Sequence, residues 1–571
     1  MRKFFIWFGV GVGIIIIFIT ISYLLLAVLL DKEPYVAKNS YLTCNIWGSI
    51  PEYTVSDALD EYFVGRVTDM AKLRRGFKMA AIDARIKGII IRIGFVQAGF
   101  AKLQELQQLI SEFRSSGKKV FAFLDIATTR DYFLASACDS IYLQPGGALI
   151  LTGFAAEVSF YKGLLNKIGV EADFEHVGKY KSYPEPYTRQ EMSAPMREVI
   201  DDILDNRYKR VVNTIAVNRN ISVQNVEHFI NEITGFTGAE ALKNGLIDGL
   251  RYESELSGIL NPNEPNLSEI SLLRYTDINP HDLGLETGSK FALIYCSGSI
   301  TGGEDGDDPI FGTTVGANRV IRNIESAARS RSIKAIILRI DSPGGSGLAS
   351  EKIWNSVKEA SKEKPVIASI SDLGASGGYY IAIGADTIVA QPSSLIGSIG
   401  VFIGKFSMEG LYQKLGISIE SIQKGKNARM FSLAKTFSPG ERAVVRKLIE
   451  DTYQDFVMRV AESRRQPYDQ IDNIAQGRVW TGERGFALGL VDTLGGLQTA
   501  INIAKRRVKL DEEEDVQLIF YPKRKSLFGS LSRYLSVRQR IPLSEIRYIE
   551  EYILNLQLRP LALMPFKVNF N

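Results

Sequence analysis

Two stretches of this chain are nearly the same text. "KGIIIRI" begins at Lys87 and "KAIILRI" at Lys334, 247 residues apart. At the same offset "YFLASACDSIYLQP", from Tyr132, becomes "YYIAIGADTIVAQP", from Tyr379. Further on, "FTGAEALKNGLIDGL" matches "WTGERGFALGLVDTL", with Gly245 and Gly489 offset by 244. Self-similarity of this extent means one unit of roughly 200 residues made twice. The short β-branched runs read as buried strands, and helical patterns separate them. Each unit is therefore expected to be an α/β domain around a largely parallel sheet. The expected division is 32–258 for the first copy and 288–508 for the second. Between them, 259–287 is rich in Asn, Pro and Asp and reads as a linker. A basic tail, 509–571, follows; it reads as solvated and partly ordered, with contact to anionic lipid through the weakly amphipathic "LFGSLSRYL" as the alternative.

Ahead of the duplication, Arg2 and Lys3 precede 27 uncharged residues, Phe4 to Leu30. As a helix this run is about 40 Å long, enough to cross a hydrocarbon core of roughly 30 Å with some tilt. It is too long for the apolar part of a cleaved signal peptide, and no small-x-small site follows it. The expectation is a retained single-pass anchor, residues 1–31, with its basic end in the cytoplasm and the body on the far side. A net charge of +4 is too near balance to argue for nucleic acid. Cys44, Cys138 and Cys296 lie far apart and in apolar text, so neither a disulfide framework nor a metal cluster is expected.

The copies differ locally. "DSPGGSG", from Asp341, aligns with "GFVQAGF", from Gly94, and Ser376–Gly377–Gly378 aligns with Thr129–Arg130–Asp131. Only the second copy has two glycine turns, each between a strand and a helix. Backbone N–H groups at such turns favour negative charge, and two of them converging make an oxyanion hole. Ser376, in "GASGG", is placed to attack a carbonyl held there. The turns lack the spacing of a phosphate loop or a dinucleotide fingerprint. A hydrolase built on GxSxG would carry its histidine later in the chain, whereas His176, His228 and His281 all come earlier.

A serine needs a base beside it. A neutral lysine serves if burial brings its pKa from about 10.4 toward 7 to 8. In "HVGKYKSYPEPYTR" Lys181 aligns with Ala428, so the first copy has a lysine where the second has none. One site assembled from both copies follows, with Lys179 and His176 as the alternative bases.

With "DSPGGS", "GASGGYYIA", "GSIGV", "GRVWTG…GLVD" and "YKSYPEPYTR", the chain from residue 1 to about 508 resembles the signal peptide peptidase A family in its long, duplicated form. The resemblance implies a Clp protease/crotonase-like α/β fold in each copy and a membrane-anchored serine endopeptidase. It implies Ser376 as nucleophile and Lys181 as general base. It also implies an oxyanion hole from the N–H groups of Gly377 and Gly345, and Ser398 orienting the lysine. The expected substrates are cleaved signal peptides and other apolar peptides. The expected assembly is a homotetramer at a bacterial inner membrane, facing the periplasm, with no metal or cofactor. The rival readings are a crotonase-like acyl-CoA enzyme, which needs no Ser–Lys pair, and a non-catalytic membrane scaffold.

Overall fold

The computed structural model describes residues 33–55, 65–262, 267–308, 312–523, 561–564 and 569–570, with three isolated positions near the N-terminus. The expected anchor and "LFGSLSRYL" lie outside the described residues. No helix among the described residues is long and apolar enough to cross a membrane.

The duplication is built into two sheets. In the first copy Ser40–Gly48, Ile86–Val96, Lys119–Thr128 and Ser140–Ile150 run parallel to their neighbours. In the second, Ser289–Ser297, Ile333–Ser342, Val366–Ala375 and Thr387–Ala390 repeat the arrangement. The central strands are almost continuously apolar because helices cover both faces. Ile89, Ile91, Ile336 and Leu338 have no exposed surface. Side-chain hydrogen bonds repeat as well. Tyr132 donates to the Leu246 carbonyl at 2.6 Å and Tyr379 to that of Leu490 at 2.8 Å.

The sequence boundaries need two corrections. The linker 259–287 contributes Ser268–Ser271, which pairs parallel with Ser40–Gly48, and Tyr275, which is buried and donates to Asp83. The second copy does the same beyond 508, where Val516–Tyr521 pairs with Ser289–Ser297. Both are edge strands. In "SEIS" only Ile270 is buried, so the text carries too little apolar periodicity to stand out from a loop.

A third sheet draws on both copies. Its order is Gly306–Asp308, Gly312–Gly316, Ser299–Thr301, Gly344–Ser346, Leu561–Leu563, Val401–Ser407 and Glu171–Val177. Glu171–Val177 belongs to the first copy and pairs antiparallel with Val401–Ser407 of the second, Val177 opposite Val401. The turn that follows Val177 is thereby delivered into the second copy.

The seam between copies is also ionic. Arg339 has no exposed surface; its guanidinium donates to Glu52 at 2.7 and 3.2 Å, to Glu105 at 2.6 Å and to Ser369 at 2.9 Å. Burial works against the Glu52 charge, but Arg339 and Lys102 outweigh it and hold its carboxyl down at about 2. Lys102 Nζ lies 2.7 Å from Asp341 and 3.6 Å from Asp372.

Candidate active site

Ser376 ends the strand Val366–Ala375 and stands at the N-cap of the short helix Gly377–Ala382. Its backbone is at φ 55°, ψ −115°, a region that costs a non-glycine residue about 1–3 kcal/mol. Two bonds hold it there. Its N–H donates to the Gly397 carbonyl at 2.7 Å, and its carbonyl accepts from Tyr380 N–H at 2.8 Å.

Lys181 comes from the turn after Glu171–Val177. Tyr180 N–H donates to the Gln476 carbonyl at 2.7 Å, which ties that turn to the second copy. Two glycines make room for the lysine. A Cβ on Gly477 would lie 2.6 Å from Lys181 N, and one on Gly400 would lie 3.1 Å from Lys181 Cδ. Within a single chain Lys181 Nζ reaches 2.8 Å from Ser376 Oγ. It is also 3.0 Å from both the carbonyl and the hydroxyl oxygen of Ser398, a residue that likewise has positive φ.

Lys181 and Ser376 have no exposed surface. Burial alone pushes the Lys181 amine well below its usual value. A neutral amine has two N–H groups and one lone pair. The two Ser398 oxygens are acceptors for the N–H groups, which leaves the lone pair for the Ser376 hydroxyl proton. The alternative bases stand elsewhere. His176 and Lys179 are exposed, and Lys179 Nζ contacts the Tyr180 hydroxyl and ring instead. His228 and His281 are exposed too.

The glycine turns meet beside Ser376. A Cβ on Gly377 would fall 3.2 Å from Gly345 N and 2.5 Å from Ser350 Oγ. Gly344 N–H is committed to Ser342 Oγ at 3.1 Å, and the backbone N beside Gly377 is that of Gly345. The equivalent turn of the first copy is closed by its own side chains. Asp131, where the second copy has Gly378, accepts from Val96 N–H and Thr128 N–H, both at 2.8 Å. Thr129 donates to the Thr152 carbonyl at 2.6 Å.

Sequence reasoning missed Asp372. It stands four residues before Ser376, yet accepts from Gly99 N–H at 3.0 Å and Lys102 N–H at 3.1 Å, capping the first copy's helix Phe100–Arg114. The Ser376 turn of one copy is thus pinned to a helix start of the other. An Asp before a glycine turn reads as turn chemistry, and nothing local marks it as a cap in a distant helix. Among the described residues no cluster of three or more His, Cys, Asp or Glu is arranged to hold a metal ion.

The family model for peptidase family S49 matches residues 112–260 and 358–511, one segment in each copy. The chain belongs to peptidase family S49. It is 35% identical over 492 residues to the chloroplastic serine protease SPPA of Arabidopsis thaliana, covering 85% of this chain and 71% of that one. It is 34% identical over 450 residues to Protease 4 of Salmonella typhi, covering 76% and 71%. A solved ClpP1 mutant from Listeria monocytogenes is 15% identical, covers 37% of this chain and 94% of its own, and has a TM-score of 0.24, too low to bear on function. This S49 member is a serine protease of the long, duplicated form.

Proposed function

We propose that this S49 protease is a membrane-anchored endopeptidase that uses Ser376 and Lys181 as a catalytic dyad to degrade cleaved signal peptides and other apolar peptides. Its anchor is residues 4–30, and it works as a homotetramer on the periplasmic side of a bacterial inner membrane. Each copy follows the Clp protease/crotonase plan, and one site forms per pair of copies. The observation that carries the reading is the 2.8 Å approach of Lys181 Nζ to Ser376 Oγ in a fully buried setting.

In this mechanism the neutral Lys181 amine takes the Ser376 proton as Oγ attacks the peptide carbonyl. The N–H groups of Gly377 and Gly345 bind the resulting oxyanion, and Ser398 keeps the amine aimed. The lysine then protonates the departing nitrogen, and water, activated by the same amine, releases the acyl group. The turn and the lysine come from different copies, which supports a site that the duplication made possible.

The test is hydrolysis of a fluorogenic apolar peptide by the full chain in detergent. Ser376→Ala is expected to abolish turnover while leaving the melting temperature within a few degrees of wild type. A folded Ser376→Ala variant that still turns over at the wild-type rate sinks the proposal. Gly377→Ala is expected to lower kcat about 10²- to 10³-fold, the usual effect of losing one oxyanion donor. Its new Cβ would press on Ser350 Oγ and push the two N–H groups apart. Unchanged kcat in that variant would remove Gly377 from the oxyanion hole.

A further inference from the structure

The strands that carry the two glycine turns stop pairing regularly just before the turns, and a lysine from the first copy sits at the break. Ile333–Ser342 and Val366–Ala375 run in register from Ile336 opposite Val366 to Ile340 opposite Ile370, and the next pair is Ser342 opposite Gly374. One residue, Asp341, therefore faces three, Ser371, Asp372 and Leu373. The Asp341 side chain stands in for the missing ladder: its Oδ1 accepts from Leu373 N–H at 3.1 Å. Its Oδ2 accepts from Lys102 Nζ at 2.7 Å. Asp372 accepts from the Lys102 backbone N–H at 3.1 Å and lies 3.6 Å from the same amine, and Glu52 lies 3.8 Å from it. Lys102 is buried, on the helix Phe100–Arg114 of the first copy.

Three carboxylates around one buried amine depend on it. Burial works against the Lys102 charge, but Asp341, Asp372 and Glu52 outweigh it and hold the amine well above its usual value. Without that cation, like charges so close could not all stay ionised, and the one that took a proton or turned away would loosen the break. The copies differ here as they do at Lys181. Lys102 aligns with Ala349 and Asp341 with Gly94, so the closed turns of the first copy have neither half of the contact. We propose that Lys102 is a positioning residue, which through Asp341 fixes the Gly344–Gly345 turn against the Ser376–Gly377 turn. This rests on the proposed peptidase reading and deepens it: the first copy supplies two lysines to one site, one to move the proton and one to set the oxyanion hole.

The reach from Lys102 to the reaction is short. Asp341 is four residues before Gly345, and Leu373 is four residues before Gly377. The two N–H groups of the hole thus stand at equal chain distance from the two ends of one side-chain hydrogen bond. A donor stabilises an oxyanion only within about 2.7–3.1 Å of it, so a shift of one turn against the other removes a donor without closing the cleft. Substrate binding draws on the length of a peptide, whereas the oxyanion forms only as Oγ adds to the carbonyl. A fault confined to the hole therefore lowers kcat and leaves KM largely alone.

The test uses the full chain and a fluorogenic apolar peptide, at a temperature where circular dichroism shows each variant folded. Lys102→Met keeps the apolar stem and removes the charge. It is expected to lower kcat about a hundredfold, the lower end of what one oxyanion donor is worth, with KM within about threefold of wild type. Lys102→Arg restores a cation and is expected to recover at least about a tenth of the wild-type kcat. Asp341→Asn keeps an acceptor for Leu373 N–H and loses the charge that faces Lys102; it is expected to lower kcat about tenfold. Adding Lys102→Met to Gly377→Ala is expected to cost no more than about threefold further, because both act on one hole. A peptide boronate, whose adduct with Ser376 carries the oxyanion's charge, is expected to bind Lys102→Met about a hundredfold more weakly than wild type. The uncleaved peptide is expected to bind Ser376→Ala and Ser376→Ala/Lys102→Met alike. A folded Lys102→Met with kcat within about threefold of wild type overturns the positioning role, as do effects of Lys102→Met and Gly377→Ala that multiply. If Lys102→Met does not fold, an unchanged kcat in Asp341→Asn overturns it as well. Failure of the peptidase reading shows separately, as hydrolysis that survives Ser376→Ala.

Discussion

Lys181→Met is expected to cut peptide hydrolysis about a thousandfold or more, the scale of a lost general base. At the same time the wild type's melting temperature is expected to gain on that of the variant as pH rises. Methionine keeps the length and apolar stem of lysine but has no proton to exchange. The wild-type amine is fully buried, and that burial holds it well below its usual value of 10.5. Between its folded value and 10.5 the unfolded chain therefore binds more protons than the folded one, and stability rises with pH in that window. Below the window both states are protonated, and the folded state carries the full cost of a buried charge. The variant also loses the bonds to the two Ser398 oxygens, but that loss does not depend on pH. The informative quantity is thus the slope of the difference, read from thermal melts of both proteins between pH 6 and 10. Activity follows the same titration. The wild type is expected to show one limb rising with pH, as the amine loses its proton. A difference in melting temperature that stays flat across this range would mean that Lys181 titrates alike in folded and unfolded chains. Its role as a neutral base would then be lost.

The parts of the fold that sequence reading reached are those whose signal is local. "KGIIIRI" and "KAIILRI" announce central strands because both faces are covered and every residue is apolar or bounded by charge. Aligning the copies then isolates Ser376 and Lys181, because core packing has no reason to put a lysine in one copy and alanine in the other. The parts that stayed hidden depend on pairings between distant residues. That Val177 lies opposite Val401 decides where Lys181 points, and no periodicity encodes it. Gly477 reads as an ordinary turn glycine until the Lys181 backbone is seen 2.6 Å from where its Cβ would be. Ser268–Ser271 passed for linker because an edge strand buries only one side of itself. The tail strand was illegible for a related reason. "LALM" has the composition of any apolar tetrapeptide, and only its partners, Gly344–Ser346 and Phe402, give it a place.

Arg339→Met is expected to destabilise the protein by about 3–5 kcal/mol, the usual cost of removing one partner from a buried ionic cluster. Arg339 belongs to the second copy, and Glu52 and Glu105 to the first, so the variant leaves two buried carboxylates of the first copy at the seam without their shared cation. Lys102 cannot replace it, since its amine already serves Asp341 at 2.7 Å and is 3.8 Å from Glu52. Triple replacement, Arg339→Met with Glu52→Gln and Glu105→Gln, removes the charges together and is expected to recover most of the loss, because a buried cluster as a whole contributes little net stability. Acid sensitivity supplies an independent reading. The Glu52 carboxyl is held at about 2, below its usual 4.5, so the stability it contributes is complete above 4.5 and is lost as pH falls toward 2. Without Arg339 that acid-side loss is expected to shrink. Activity is expected to fall with stability in the single variant, because the cluster reaches the site. Asp341 opens the glycine turn, and Asp372, four residues from Ser376, is bonded to the first copy beside Lys102. If chemical denaturation finds Arg339→Met within about 1 kcal/mol of wild type, the usual scale of an exposed ion pair, the seam is held by its apolar contacts. The alignment of the two copies that brings Lys181 to Ser376 would then have to come from the remaining contacts between them, the pairing of Glu171–Val177 with Val401–Ser407, the Tyr180–Gln476 bond and the Asp372 cap.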